Sequence, residues 1–264
     1  NGKLAFLFTG QGSQYIDMGL DLAAVYPIVK ETFAEADAVM TPELGRPLTS
    51  FIRRNPNLTE DAQFDALVAT EISQPATLTM DVAVLRLLRA YGLEPDMVAG
   101  HSLGEYGAAV AAGILGFKDA LLAVSARGRE MASVKLDDPG KMAGIAASEY
   151  QVAEVLKQVQ GYVIAANKNC PSQTVIAGES VAVEAACEIF RQKGITVSML
   201  PVSHAFHSRI VAPASEPLKL VLKRLQIHPP VIPTTTNVTG GYYPSHAQAR
   251  EEIIDILARQ VAAP

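Results

Sequence analysis

The sequence contains no tryptophan and only two cysteines, and aromatic residues make up 6% of its 264 residues. So few aromatic side chains offer no platform on which nucleic-acid bases could stack. A formal net charge of −5 also disfavours nucleic acid and anionic membrane surfaces as partners. No apolar run reaches the length of a membrane span, and no signal peptide precedes the first predicted strand. Composition therefore predicts a cytoplasmic protein that contacts neither nucleic acid nor membrane.

The two cysteines, Cys170 and Cys187, are too few for a disulfide scaffold. We interpret both as buried, reduced thiols of a cytosolic protein. Hydrophobic residues make up 49% of the chain, enough for one large domain or for a domain with an insertion. The sequence starts without methionine directly before a predicted strand, so we expect a domain cut from a longer polypeptide.

Hydrophobic patterns predict an α/β fold with a parallel sheet. The apolar run Lys3–Phe8 is typical of a buried parallel strand, and residues 93–99 lead into a second strand. Helical patterns lie between and after these strands, over residues 26–40, 74–91, 105–114, 117–134, 213–225 and 247–260.

Residues 140–203 have a different character. Their pattern predicts strand, helix, strand, strand, helix and strand in that order, which is the split βαβ arrangement of a ferredoxin-like unit. We therefore predict a large α/β subdomain of residues 1–139 and 204–264. A small ferredoxin-like subdomain of residues 140–203 would be inserted into it.

The most informative motif is Gly100-His101-Ser102-Leu103-Gly104, which directly follows a short apolar run. A strand that turns sharply into a helix presents the side chain at the tip of the turn, and flanking glycines remove Cβ clashes there. The backbone N–H of Leu103 would then point to where an oxyanion forms. The motif predicts that Ser102 is an acyl-transfer nucleophile, although a Gly-rich turn is the alternative.

A serine nucleophile needs a base, and the chain has five histidines. His101 adjoins Ser102 on a tight turn and favours a packing role, whereas His228 and His246 lie in segments that we expect to be solvated. The remaining pair, His204 and His207, follows the predicted small subdomain and supplies the candidate base. A metal site is disfavoured because no third ligand is near and the HExxH glutamate is missing.

Two further features complete the predicted site. The turn Gly10-Gln11-Gly12-Ser13-Gln14 follows the first strand and could donate a second backbone N–H to an oxyanion. A dinucleotide loop is disfavoured because the third glycine is missing. Arg127 and Arg129 lie two residues apart on a predicted helix, so at most one can enter a pocket and bind a substrate carboxylate. The pattern alone does not choose between them.

Taken together, the chain resembles the malonyl-CoA:acyl-carrier-protein transacylases and, more closely, the acyltransferase domains of polyketide and type I fatty-acid synthases. The resemblance covers essentially the whole chain, and the order and spacing of its motifs make it specific. These motifs are Phe8–Gln14, Gln74-Pro75-Ala76, Gly100–Glu105, Arg127-Gly128-Arg129-x-Met131, Asn167-x-Asn169-x-Pro171-x-Gln173, His204-Ala205-Phe206-His207-Ser208 and Leu257-x-x-Gln260.

The resemblance implies an α/β-hydrolase-like large subdomain and a ping-pong malonyl transfer from malonyl-CoA to the phosphopantetheine thiol of an acyl carrier protein. No bound cofactor or metal is expected, and the partners would be the carrier protein and other domains of a synthase. The roles implied are Ser102 as nucleophile, His207 as base, Gln11 and Leu103 as the oxyanion hole, Arg127 as carboxylate ligand, Gln260 as the residue orienting the histidine, and Gln74, Asn169, His204 and Phe206 as pocket residues.

Substrate choice and two competing functions also follow from these motifs. His-Ala-Phe-His accompanies malonyl in the family, whereas Tyr-Ala-Ser-His accompanies methylmalonyl, so we expect a malonyl preference through the bulk of Phe206. An α/β-hydrolase esterase or thioesterase shares the serine turn but has no use for an arginine that binds carboxylates. A catalytically idle docking module of a synthase is the other alternative.

Overall fold

The computed structural model describes residues 2–134, 136–200, 202 and 204–263. Tertiary contacts divide the chain into two compact units. Unit 1 comprises Asn1–Arg129 and Leu218–Ile256, and unit 2 comprises Glu130–Pro217 and Leu257–Pro264. These boundaries differ from those expected at residues 139/140 and 203/204, and the sequence-based division stays a prediction.

Helices dominate the first half of unit 1. In chain order, the elements up to residue 133 are β1 (Ala5–Phe8), α1 (Leu20–Val25), α2 (Pro27–Leu44), α3 (Thr49–Ile52), α4 (Glu60–Val68), α5 (Thr70–Ala90), β2 (Met97–Gly100), α6 (Gly104–Ala111) and α7 (Phe117–Ser133). The long helices α2, α5 and α7 were predicted to within a few residues, whereas α1, α3 and α4 were not predicted.

The two strands of unit 1 are parallel, as the sequence predicted. β1 and β2 pair in the register from Ala5 opposite Met97 to Phe8 opposite Gly100. A single bridge joins Val98 to Thr234 on the other side of β2. Because parallel strands end at the same edge of a sheet, the loops that follow Phe8 and Gly100 are neighbours.

The expected burial of β1 is wrong. Phe8 is buried, but Ala5 is exposed and Leu7 is 78% exposed. Among the described residues β1 pairs with β2 alone, so its other edge is not covered by a strand. The apolar run therefore correctly predicted a strand but not the burial of that strand. Such a run reflects the hydrophobicity of its residues and does not show what packs against them.

Unit 2 contains a four-stranded antiparallel sheet. Its elements are β3 (Lys141–Ile145), α8 (Glu149–Leu156), β4 (Val163–Cys170), β5 (Gln173–Gly178), α9 (Ser180–Gln192) and β6 (Val197–Met199). The strand order is β4-β5-β3-β6, and the pairs β3–β5, β3–β6 and β4–β5 are all antiparallel. One apolar cluster joins both helices to the sheet, with Ile145, Val152, Ile176, Val183 and Phe190 among its members.

The chain ends in two helices, α10 (Ser215–Leu222) and α11 (Arg250–Arg259), and a 3-10 turn over Arg209–Ala214 precedes α10. The boundaries between the two units fall inside α7, α10 and α11. No helix among the described residues combines the length and apolar character that a membrane crossing requires. Cys187 is buried as expected, but Cys170 is exposed at the end of β4, so its expected burial is wrong.

Candidate active site

The serine turn lies where β2 ends and α6 begins. Ser102 adopts a left-handed backbone conformation with φ of 53°. A Cβ at Gly100 would overlap the backbone of Gly104 and Glu105, and a Cβ at Gly104 would overlap the backbone of Phe8. Both flanking glycines are therefore required by close packing, which confirms the reason the sequence offered for them.

Asn237 contacts this turn at two backbone groups. The Ser102 N–H donates to Asn237 Oδ1 at 2.7 Å, and Asn237 Nδ2 donates to the Gly100 carbonyl at 2.8 Å. The Asn237 N–H in turn donates to Glu105 Oε1 at 3.2 Å. Glu105 is fully buried on α6 and also accepts a 2.5 Å hydrogen bond from the Tyr243 hydroxyl. Burial and the neighbouring Glu105 carboxylate raise the pKa of Tyr243 well above its usual range.

Sequence reasoning assigned no role to Asn237, Glu105 or Tyr243. Glu105 stands inside a motif quoted for the resemblance, so its position was visible although its partners were not. Asn237 lies 135 residues from Ser102, in a turn rich in threonine and glycine. A local sequence pattern does not reveal such a long-range contact. The backbone contacts of Val98 in β2 with Pro233, Thr234 and Thr235 bring this turn close to the serine.

The glycine-rich turn after β1 is closed by its own hydrogen bonds. Ser13 Oγ donates to the Gly10 carbonyl at 2.9 Å, and the Gly12 N–H donates to Gln14 Oε1 at 2.8 Å. A Cβ at Gly10 would overlap the His101 carbonyl, so this turn packs directly on the serine turn. Gln11 and Leu103, the predicted oxyanion donors, consequently lie on two adjacent loops of unit 1.

Arg127 is the buried member of the arginine pair on α7. Its side chain is 1% exposed, and its Nη1 donates to Gln74 Oε1 of α5 at 2.9 Å. Arg129 is half-exposed and donates to Glu43 Oε2 at 2.6 Å. Burial lowers the pKa of Arg127, and the Tyr106 and Glu105 side chains act in the opposite direction. The structure thus distinguishes two residues that the sequence could not.

His207 belongs to unit 2 and is 6% exposed, with a left-handed backbone φ of 55°. Its Nδ1 lies 3.1 Å from the Gln260 carbonyl and 3.1 Å from the Ala263 carbonyl. Because carbonyls only accept, Nδ1 carries the proton and Nε2 is left as the acceptor of the neutral ring. The His207 N–H also donates to the Val261 carbonyl at 3.1 Å.

The other residues expected in the pocket lie on two segments of unit 2. His204 Nε2 lies 3.1 Å from the Val134 carbonyl, and its ring centroid is 6.2 Å from that of the buried Phe206. Asn169 is exposed at the end of β4, where its Nδ2 donates to Gln173 Oε1 at 3.3 Å. Within the described ranges, no three His, Cys, Asp or Glu side chains are grouped as a metal site would require.

Unit 1 thus carries Ser102, Leu103, Gln11, Arg127 and Gln74, and unit 2 carries His204, Phe206, His207, Asn169 and Gln260. Three described non-glycine residues have positive φ, and Ser102 and His207 are two of them. Backbone strain of this kind costs on the order of 1–3 kcal/mol and concentrates at functional sites. The predicted nucleophile and the predicted base thus share this backbone conformation with Asp17, the third such residue.

The chain is also similar to a family model and to several known proteins. The family model described as an acyl transferase domain matches residues 5–256. The malonyl CoA-acyl carrier protein transacylase of Bacillus subtilis strain 168 is 39% identical over 263 residues, covering 97% of this chain and 78% of that protein. The spectinabilin polyketide synthase system protein NorB of Streptomyces orinoci is 36% identical, covering 94% of this chain and 12% of that protein.

A solved structure of a malonyl-transacylase in complex with its type II polyketide synthase acyl-carrier protein, PlMCAT:AntF, is also similar. It shares 35% sequence identity with a TM-score of 0.87, covering 100% of this chain and 82% of that chain. The mixed α/β fold with its parallel strand pair is thus that of known malonyltransferases. A serine turn, a buried arginine and a match over nearly the whole chain lead to one conclusion, that the protein belongs to the acyl transferase domain family.

Proposed function

We propose that this chain transfers a malonyl group from malonyl-CoA to the phosphopantetheine thiol of an acyl carrier protein. The observation that carries the proposal is a strained serine turn in the same compact unit as a fully buried arginine. A serine ester can hold many acyl groups, and an arginine in the same unit can bind the carboxylate of one of them through charge-assisted hydrogen bonds. The names of the relatives support the same substrate and acceptor.

The first half-reaction loads the enzyme. His207 Nε2 takes the Ser102 hydroxyl proton as Oγ attacks the thioester carbonyl, and the backbone N–H groups of Gln11 and Leu103 stabilise the oxyanion. The C–S bond then breaks, and the CoA sulfur leaves with the proton held by His207. Ser102 is left as a malonyl ester, while the Gln260 carbonyl keeps the imidazole in the required tautomer.

The second half-reaction reverses these roles with a different thiol. The phosphopantetheine thiol gives its proton to His207 and attacks the ester carbonyl. The ester C–O bond breaks, and Ser102 Oγ regains the proton. Arg127 binds the malonyl carboxylate throughout, with its guanidinium oriented by Gln74. His204, Phe206 and Asn169 shape the remaining pocket.

We also propose the finer architecture and cellular setting. Residues 1–139 and 204–264 form an α/β-hydrolase-like subdomain, and residues 140–203 form a ferredoxin-like one. The antiparallel strand order β4-β5-β3-β6 supports the second assignment. The partners are a carrier protein and, as for the polyketide synthase relatives, further domains of a synthase. No bound cofactor takes part, and a cytoplasmic location fits a CoA thioester as the donor.

The test is intact mass spectrometry after incubation with a panel of acyl-CoAs, followed by addition of a carrier protein bearing phosphopantetheine. We expect a malonyl adduct on the wild type that Ser102→Ala abolishes, since alanine fits the same turn. His207→Ala should slow acylation by about 10²–10⁴-fold, and the control His204→Ala far less. Rapid release of free malonate would indicate a hydrolase, and absence of any adduct would indicate a docking module. Either result contradicts the proposal.

Competition between equal amounts of malonyl-CoA and methylmalonyl-CoA tests the acyl preference. Phe206 is buried, and we expect its ring to fill the space that an α-methyl group would need. We expect malonyl to load faster, but a pocket separates substrates that differ by one methyl by only about 1–3 kcal/mol. Phe206→Ser should reduce the preference. Equal loading by the unmodified protein would contradict this specificity and leave the acyl transfer itself intact.

A further inference from the structure

We propose that Asn237 is a positioning residue for the acyl transfer, because its amide holds the serine turn in the conformation that presents Ser102 and the Leu103 N–H. This inference rests on the proposed function and adds a residue to its machinery. Asn237 acts through Ser102 and Gly100 and is not assigned a contact with substrate.

Two backbone groups of the serine turn lie outside the hydrogen bonding of the strand and the helix. β2 ends at Gly100 and α6 begins at Gly104, so the Gly100 carbonyl and the Ser102 N–H fall between strand and helix. One side-chain amide binds both, accepting from Ser102 at 2.7 Å and donating to Gly100 at 2.8 Å. An N–H only donates and a carbonyl only accepts, so the two partners also fix which end of the amide is oxygen.

An amide side chain supplies this pair of contacts at neutral pH. The partner at Ser102 requires an acceptor and the partner at Gly100 requires a donor. A carboxylate could serve Ser102 but would place its second oxygen against the Gly100 carbonyl. A leucine of similar size could serve neither. The chemistry demanded by the turn thus matches the residue that is there.

Asn237 is itself held in place from the same region of unit 1. Its N–H donates to Glu105 Oε1, and the Tyr243 hydroxyl fixes that carboxylate. Its turn is closed by hydrogen bonds between Thr236 and both Gly240 and Gly241. The preceding Thr234 bridges to Val98 of β2, the strand that leads into the serine turn. These contacts therefore connect β2, the serine turn, α6 and the Asn237 turn to one another.

The mechanistic consequence concerns two groups that follow Ser102 N in the chain. The φ of 53° at Ser102 sets the direction of its side chain and of the peptide that carries the Leu103 N–H. Without Asn237, the turn can relax toward an ordinary φ, which would move Oγ and the oxyanion donor together. A misplacement of about 1 Å at a reacting group can cost about 10²-fold in rate.

The experiment compares Asn237→Asp and Asn237→Leu with the matched control Asn57→Asp, since Asn57 is an exposed asparagine of the same unit. Three quantities are measured on each folded protein. They are the rate of acylation by malonyl-CoA, the rate of Ser102 labelling by a fluorophosphonate, and backbone hydrogen exchange in the peptide that contains Ser102. Melting temperature by circular dichroism shows which variants are folded.

We expect acylation and labelling of both Asn237 variants to fall by about 10²-fold at pH 8. Affinity for malonyl-CoA, measured in a Ser102→Ala background, should change less than about twofold, and exchange at Ser102 should rise. The Asp variant should recover relative to wild type as the pH falls toward 5.5, because the protonated carboxyl, beside Glu105 and Tyr243, again offers a donor to Gly100. The Leu variant should show no recovery.

Unchanged labelling and unchanged exchange at Ser102 in the Asp variant would overturn the proposal, as would a recovery that Leu shares. If Leu does not fold, the Asp variant and its pH dependence decide alone. Labelling and exchange need no malonyl-CoA. If the wild type is labelled at Ser102 but never takes up malonyl, the proposed substrate is refuted. The labelling and exchange measurements still test the role of Asn237.

Discussion

At the scale of single residues, Arg127 is a large, charged side chain that is fully buried. A guanidinium buried to 1% exposure loses its hydration, and Gln74 Oε1 accepts a hydrogen bond from it. Burial lowers the Arg127 pKa, which means that the protein carries this cation at a cost in stability. A charge-assisted contact with a substrate carboxylate would let the same side chain both select the substrate and position it.

Arg127→Ala should therefore remove the preference for a carboxylated acyl group. Loss of a charge-assisted contact is worth about 1.5–3 kcal/mol, so malonyl loading should fall by at least about 10-fold relative to acetyl loading. Mass spectrometry of the acyl-enzyme in mixtures of the two CoA esters measures the ratio. Arg129→Ala is the control, because its half-exposed pair with Glu43 contributes little. Equal changes of the malonyl-to-acetyl ratio in both variants would contradict the role of Arg127 in binding the carboxylate.

Asp81 on α5 gives the protein a pH-dependent stability. Burial raises the pKa of its carboxyl to about 7, although hydrogen bonds from Thr9 act in the opposite direction. Its Oδ2 has no hydrogen-bond partner among the described residues. A carboxyl with a raised pKa binds its proton more tightly in the folded state. The contribution of Asp81 to stability is then largest at low pH and is lost as the pH rises from about 4 to about 7.

Asp81→Asn should abolish this slope, because the amide is neutral at every pH. For the wild type, the loss between pH 4 and pH 7 amounts to at most about 4 kcal/mol, since each pKa unit corresponds to about 1.4 kcal/mol. Denaturant unfolding at pH 5 and pH 8 measures the difference. Asp65→Asn, at an exposed position of α4, is the control. A wild-type slope that survives in Asp81→Asn would assign it to another group.

At this scale the sequence predicted what is local and chemical. The roles of Gly100 and Gly104 in the serine turn followed from their spacing, and close packing confirms them. The choice between Arg127 and Arg129 could not be made, because it depends on what lies against each face of α7. The Asn237 contact was beyond reach, since its partners are more than 130 residues away.

At the scale of elements, one glycine sets the distance between α5 and α7. A Cβ at Gly128 would lie 2.8 Å from the Thr70 carbonyl and 2.9 Å from Glu71 Cα, which are backbone atoms that cannot rotate away. The close approach places Arg127, the preceding residue, beside Gln74. Pro75 follows Gln74 inside α5 and removes one N–H from the helix ladder. The close approach of the two helices and the missing N–H of α5 therefore both lie next to Arg127, the residue predicted to bind the carboxylate.

Gly128→Ala should push these helices apart. Alanine in a helix interior normally stabilises by up to about 1 kcal/mol, but overpacking against backbone should reverse the sign and cost about 1–3 kcal/mol. Malonyl loading should fall with it, because Arg127 moves away from Gln74. Gly116→Ala just before α7 meets nothing within 4 Å and serves as the control. Thermal unfolding and acyl-enzyme mass measure both effects. A stabilised Gly128→Ala would refute the packing argument.

The long elements were predictable and the short ones were not. The apolar periodicity of α5 and α7 extends over 21 and 17 residues, which is enough to define a helix. α3 has four residues and α1 has six, too few for any period to register. α4 did carry a signal, because Thr59 caps it and acidic residues fill its first turn. Its weak apolar face hid that signal.

At the scale of the whole molecule, β1 exposes apolar surface. Leu7 is 78% exposed, and the edge of β1 away from β2 is open among the described residues. An apolar open edge is a template for pairing with another chain. Leu7→Lys should therefore reduce self-association, which analytical ultracentrifugation at several concentrations measures. Leu220→Lys, an exposed leucine on α10, is the control. Association that persists unchanged in Leu7→Lys would exclude this edge.

The loop that carries Gln11 starts where β1 ends, and it packs on the serine turn that β2 delivers. A neighbour that pairs with β1 would therefore disturb the loop that carries Gln11, the predicted oxyanion donor. Self-association of the protein would therefore lower its catalytic turnover. Specific activity should decline as enzyme concentration rises in the assay stock, and dilution should restore it slowly. Leu7→Lys should make specific activity independent of concentration.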